Sequence, residues 1–265
     1  MNPLNADAVK HAAQTRLLGQ VVRYWESVDS TNAALVRLVA EGALEGTVVM
    51  ADAQTAGRGR IGKLWVSPPG VNLHLSVLLK PPLPLAEARL YTLIGSLAIA
   101  DAVESHDVKA QVKWPNDVLV NDKKVGGILA EVQTQGGHLE ALIMGIGVNL
   151  NIDRPGMNQL YGDAAAGATS LHEAMGRNVD RNAFAARVLE SLEQRHFDFL
   201  AHGKAPLLKE WRSRSFLGRR VTVREEDIHV EGIAMSLDEE GCLVVNLDDG
   251  STVRVREGEV TPLSE

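Results

Sequence analysis

A chain of 265 residues with 45% hydrophobic content can bury one large core, or a large and a small one, and its 23% charged residues argue against wholesale disorder. A net charge of −7 speaks against a protein that coats nucleic acid, which needs a basic surface. The single cysteine, Cys242, cannot close an internal disulfide, no signal-like leader opens the chain, and no apolar run is long enough to span a bilayer. The expectation is a cytoplasmic protein with no membrane partner and no DNA partner.

In chain order, residues 5–18 read as a short amphipathic helix and 21–26 as a strand. Residues 27–42 carry a helix signature, with Asp29 or Ser30 as N-cap and Gly42 as terminator. GTVVMADA (46–53) is a buried strand, and NLHLSVLLK (72–80) is another. PPLPL then breaks the chain, and 87–104 reads as a long buried helix despite Gly95. From 112 to 152 the pattern is strands and tight turns, with Asn121-Asp122 and Gly136-Gly137 as hairpin signals. Such an antiparallel meander excludes the alternating strands and crossover helices of a dinucleotide or P-loop fold. Helices are expected over 181–201 and about 206–214. After Phe216 the composition shifts to short strands separated by DEEG and DDG turns, which places a domain boundary near 216. Arg219-Arg220 and the acidic run Glu225-Glu226-Asp227 read as solvated faces.

Four stretches could carry chemistry. GRGRIG (57–62) lacks the GK[ST] ending of a P-loop and no helix follows it. Gly57 and Gly59 let the backbone approach an anion, and Arg58 and Arg60 supply cationic forks; a solvated hairpin tip is an equal reading. In KWPND, Lys113 can hold a phosphate, Asn116 a base or sugar, and Asp117 a Mg²⁺ ion, against a plain Pro-Asn turn. In KKVGGILAE, Lys124 stands beside Gly126-Gly127, which invite a ligand close to the strand or mark a bulge. In DSTNAAL, Ser30, Thr31 and Asn32 put hydroxyl and amide groups at a helix start, where they either bind a small polar ligand or cap the helix. The eight histidines show no zinc spacing.

Taken in series, S-T-N, Q-T-A-G-R-G-R-x-G, K-W-P-N-D, K-x-G-G-I-L and G-x-G-x-N resemble the biotin protein ligase family over about residues 24 to 150. The resemblance implies an α+β fold. Residues 1–215 would form a mixed, largely antiparallel sheet with packed helices, of class II synthetase type, and 216–265 a small SH3-like β-barrel. It implies activation of biotin by ATP to biotinyl-5′-AMP, with Mg²⁺, and transfer of biotin to a lysine of a biotin carboxyl carrier protein. Lipoate or octanoate ligases and transferases of the same broad fold are the alternative.

Carried over residue by residue, Ser30, Thr31 and Gln54 resemble biotin-head contacts, with Asn32 nearby. Gly57, Arg58, Gly59 and Arg60 would order over the adenylate as a lid, with Lys124 at the biotin carboxylate and Gly127 beside it. Trp65, Asn116, Asn149, Arg60 and Lys113 resemble ATP contacts. Lys113, Arg58, Arg60 and Asp117 would be catalytic, and Asp117 is the candidate to orient Mg²⁺ or the incoming amine. Some relatives carry an N-terminal DNA-binding domain; about twenty residues precede the first strand here, so no operator binding is expected. Monomer and homodimer both remain open.

Overall fold

The computed structural model describes residues 3–225 and 228–263; Glu226 and Asp227 of the acidic run, and the last two residues of the expected C-terminal unit, lie outside the described residues. Asn5 caps α1 (Ala6–Ala12) by accepting from the Ala8 amide. The helix stops well short of residue 18. The amides of Arg16, Leu17 and Leu18 donate instead to the Glu193 carboxylate, at 2.7, 2.7 and 2.8 Å. A tertiary acceptor thus takes three donors that a longer helix would have used.

A seven-stranded sheet follows: β1 (Val22–Val28), β2 (Val48–Gln54), β3 (Leu73–Leu79), β4 (Gln111–Lys113), β5 (Asp117–Val120), β6 (Lys123–Gln135) and β7 (His138–Val148). Its spatial order is β1-β2-β3-β7-β6-β5-β4. Only β1 and β2 are parallel, and α2 (Thr31–Ala40) crosses between them. The meander expected over 112–152 is β4 to β7, antiparallel throughout. Two of its three hairpins turn where two successive residues hold positive φ, Asn121-Asp122 at 51° and 60° and Gly136-Gly137 at 58° and 82°.

Strand alternation sorts side chains to two faces. Val49, Leu78, Ala141 and Ile143 meet Ala34 and Leu35 of α2. Met50, Leu75, Val77 and Met144 face the main core, where α3 (Leu90–Glu104) and α6 (Arg181–His202) lie. A Cβ on Gly95 would stand 2.8 Å from Ile128 and 2.9 Å from Met144, so the glycine in α3 brings the helix down onto the sheet.

Between β7 and α6 lie elements that the sequence pattern did not reveal: α4 (Arg154–Tyr161), a 3₁₀ stretch (Gly162–Gly167) and α5 (Leu171–Met175). Asp153 caps α4 by accepting from Gly156, and Pro155 sits in its first turn. That Asp-Arg-Pro start was a readable helix signal. After α7 (Lys204–Ser213) come β8 (Arg220–Glu225), β9 (Ile228–Leu237), β10 (Leu243–Asn246), β11 (Thr252–Val255) and β12 (Glu259–Pro262). They form a second, antiparallel, SH3-like sheet in the order β11-β10-β9-β8-β12. It shares one apolar core with the first: Phe216, Val221 and Leu237 cluster with Leu90 and Leu93. Among the described residues no helix is long and apolar enough to cross a membrane.

Candidate active site

The sheet's β3 and β7 build the floor of the site. Asn72, just ahead of β3, and His74 and Ser76 on it alternate with apolar Leu73, Leu75 and Val77, so the polar set shares one face. Opposite them on β7, His74 pairs with Gly147 and Ser76 with Gly145. A side chain on Gly145 would run into the Asn32 amide, and one on Gly147 would stand 2.5 Å from the Trp65 ring. The two glycines of G-x-G-x-N therefore make room for two larger side chains.

Above this floor is a cavity of about 390 Å³. Ser30, Thr31, Asn32, Gln54, Arg58, Gly59, Arg60, Trp65, Lys113, Asn116, Asp117, Lys124, Gly127 and Asn149 all line it. Gly57 does not. It sits where the hairpin's two strands cross so closely that a Cβ would strike the Trp65 carbonyl, which makes it a packing glycine.

Ser30 is the N-cap of α2 but makes no side-chain capping bond, which leaves its hydroxyl for other partners. The Thr31 amide and hydroxyl both donate to Gln54 Oε1, at 2.9 and 3.1 Å. Gln54 Nε2 donates to Ser67 at 2.8 Å. Buried Ser76, absent from the sequence reading, donates to Asn32 Oδ1 at 2.6 Å and stands 2.8 Å from the Thr31 hydroxyl. These contacts fix the polar end of the cavity in one arrangement.

The GRGRIG segment is a narrow hairpin that prolongs β2. Gln54 bridges Ser67, Arg58 bridges Leu64, and the tip is Ile61-Gly62 at φ 52° and 69°. Its arginines diverge. Arg58 donates to Glu131 Oε2 on β6 at 3.0 Å, and Arg60 reaches Asn116 Oδ1 at 3.5 Å and the Gly258 carbonyl at 3.4 Å.

Across the cavity Asp117 is held between two lysines. Lys124 Nζ lies 2.5 Å from Oδ1 and Lys113 Nζ 3.0 Å from Oδ2. Burial alone would push this carboxyl up, but Lys124 and then Lys113 outweigh it and hold it below the ordinary carboxylate range. Asp117 is thus a poor proton acceptor. A resident Mg²⁺ does not fit it either: both oxygens are engaged by ammonium groups, and among the described residues no three His, Cys, Asp or Glu side chains are grouped to hold a metal.

Trp65 makes a wall. Lys124 Nζ lies 5.5 Å from its ring centre, and its Nε1 donates to His74 Nδ1 at 3.3 Å. His74 is fully buried. Burial, with the Arg181 charge adding to it, pushes its pKa down to about 3, which keeps Nδ1 unprotonated and able to accept. Asn149 is committed inside the fold: its Nδ2 donates to the Thr169 carbonyl at 3.0 Å and its Oδ1 accepts from the Tyr161 hydroxyl at 2.9 Å. Tyr161, on the unforeseen α4, also lines the cavity. The second sheet closes the far side through Gly258, Glu259 and Val260, and Lys113 Nζ donates to the Val260 carbonyl at 3.2 Å.

Chemically the cavity offers one polar pocket end, an aromatic wall and five cationic side chains, Arg58, Arg60, Lys63, Lys113 and Lys124. That set can draw two anions together.

Comparisons with known proteins agree with this geometry. Residues 24–149 match the profile of the Biotin/lipoate A/B protein ligase family, and 216–261 that of the Biotin protein ligase C terminal domain. The chain is 33% identical over 249 residues to the Bacillus subtilis bifunctional ligase/repressor BirA, covering 93% of this chain and 76% of that one. It is 33% identical over 253 residues to the Mycobacterium tuberculosis biotin–[acetyl-CoA-carboxylase] ligase, covering 90% of each. The Aquifex aeolicus biotin protein ligase, solved with biotin and ATP, is 29% identical and superposes with a TM-score of 0.76 over 91% of this chain and 98% of that one. With both profiles matched in chain order and relatives a third identical over nearly its whole length, the chain belongs to the biotin protein ligase family.

Proposed function

We propose that the cavity activates biotin with ATP and passes the biotinyl group to a lysine of a biotin carboxyl carrier protein. One observation carries this reading: five separated motifs converge on a single cavity, with a cationic cluster at one end and a hydroxyl-amide cluster at the other. Biotin is neutral except at its carboxylate tail, so an apolar pocket with a few polar groups suits its head. Ser30, Thr31, Asn32 and Gln54 would read the ureido ring.

The first step joins two anions. A biotin carboxylate oxygen bonds to the α-phosphorus of ATP, the bond to the β-phosphate bridge breaks, and pyrophosphate leaves with the electron pair. Lys124 would hold the carboxylate and Lys113 the phosphate, while Asp117, ionised between them, sets their spacing. Mg²⁺ would enter with the nucleotide substrate and neutralise its phosphates. In the second step the carrier's lysine nitrogen attacks the acyl carbon, the bond to the phosphate oxygen breaks, AMP leaves and the amine loses a proton. The mixed anhydride is prone to hydrolysis, so the hairpin bearing Arg58 and Arg60 serves to exclude water.

The test is transfer of labelled biotin to a purified carrier domain, with and without ATP and Mg²⁺. Transfer that needs ATP supports the reading. Pyrophosphate release with lipoate or octanoate but not biotin would move the assignment to the related ligases.

A further inference from the structure

Glu131 closes the KKVGGILAE stretch without a role of its own in the sequence, yet it joins two of the other motifs. It lies on β6, and its Oε2 accepts from Asn32 Nδ2 at 2.6 Å and from Arg58 Nη2 at 3.0 Å. Asn32 Nδ2 also donates to the Leu129 carbonyl at 3.2 Å, and Asn32 Oδ1 accepts from Ser76. Both Asn32 Nδ2 hydrogens are therefore taken, while Oδ1, tied to Ser76, keeps one lone pair for a ligand; the amide is buried and cannot shift without disturbing the carboxylate oxygen that also holds Arg58.

Arg58 is on the hairpin, and the hairpin is a partition. On its inner side is the cavity already described. On its outer side is an open hollow lined by Arg58, Leu64, Leu129, Glu131 and Glu257. Among the described residues, ion pairs at Lys63 and Arg58 pin this partition. Lys63 reaches Glu259 on β12 at 2.5 Å, and Arg58 reaches Glu131 on β6. Only the second connects to the polar end of the cavity.

We propose that Glu131 is a positioning residue that latches the Arg58 hairpin to Asn32, so that occupation of the polar pocket and closure over the intermediate are one event. Asn32, held by ligand and Ser76, keeps Glu131 in place; Glu131 in turn holds Arg58 over the bound acyl-adenylate. With the latch open, the partition parts from β6 and the intermediate leaves through the outer hollow. The inference rests on the ligase reading above.

The test compares the parent with Glu131→Gln, Arg58→Ala and the double variant. Each is loaded with biotin and MgATP, and release of biotinyl-adenylate is followed after a chase. Glu131→Gln keeps the side chain's shape and removes its charge. The pair is partly exposed, so the expected gain in release is modest, about two- to fivefold. Arg58→Ala should raise release at least as much, and the double variant no further, because both break the same tie. The KM for biotin should rise in Glu131→Gln while that for ATP stays put, which a general weakening of the fold would not produce. Release at the parent rate in Glu131→Gln, multiplied effects in the double variant, or equal changes in both KM values would overturn the latch. A parent that makes no adenylate at all would instead remove the ligase reading, and the latch with it.

Discussion

Asp117 lies between two lysines, and in the proposed reaction its contribution would be to fix the distance between them. Nearly all of it is buried, both oxygens are taken, and it stays ionised because Lys124 and Lys113 flank it. Removing one lysine leaves the carboxylate still paired with the other, so the fold should tolerate the loss while the chemistry does not. Lys113→Ala is expected to lower biotin transfer by roughly 100-fold or more, the scale seen when one charge-stabilising donor is lost. Its melting temperature should stay close to the parent's. Unchanged transfer would take Lys113 out of the reaction. Arg60 ties the hairpin to Asn116 and to the Gly258 carbonyl, so in the proposed reaction it would bear on the intermediate rather than on the joining step. Arg60→Ala should let biotinyl-adenylate escape and label lysines of unrelated proteins. Mass spectrometry of a bystander protein would show this, and an unlabelled bystander would contradict it.

At the scale of elements, the pairing of β3 with β7 explains why some of the site is legible in the sequence and some is not. Glycines inside strands, paired arginines on a glycine-rich loop and a lysine beside two glycines are unusual enough in type and spacing to be noticed, and of the residues so noticed all but Gly57 and Gly126 stand on the cavity wall. Ser76, His74 and Glu131 look ordinary along the chain. They matter because cross-strand register sets them beside Asn32, Trp65 and Arg58, and register is not written in any one stretch. The alternation in NLHLSV was the one available sign, polar residues every second position in a strand buried on both faces. The same register yields a paired prediction. Gly145→Ala should displace Asn32 and weaken biotin binding, whereas Gly147→Ala should displace Trp65 and weaken ATP binding. Calorimetric titration of each ligand against each variant checks this; a variant that weakens both ligands equally would show that the floor acts as one unit.

For the molecule as a whole, acid sensitivity should be set by histidines before carboxylates. Burial holds His74, His106 and His196 below their ordinary value of 6.5, with Arg181 adding at His74 and Arg177 at His106. A folded value below the unfolded one means that stability is fully present above about pH 6.5 and is lost as the pH falls, because the unfolded chain takes up protons that the folded one refuses. For His74 the loss continues to about pH 3. Asp117 and Asp101, also held low, add their share only below about pH 4. Denaturant unfolding from pH 7 to pH 4 should show stability falling with pH, His74 alone contributing about 1.4 kcal/mol per pH unit below its unfolded value. His74→Gln should shallow that slope by about one proton, and an unaltered slope would clear His74 of the effect.

The second sheet gives the cavity its last wall through the Gly258 and Val260 carbonyls, and Trp114 anchors the KWPND turn to it by donating to the Gly241 carbonyl at 3.0 Å. This has a bearing on the order of events during synthesis. Serine, threonine, arginine and both lysines of the site leave the ribosome long before Val260 does, but they face a chamber open on one side. The nascent chain carries the reagents of its chemistry for most of its translation and gains an enclosed vessel for them only when its final strand is laid down.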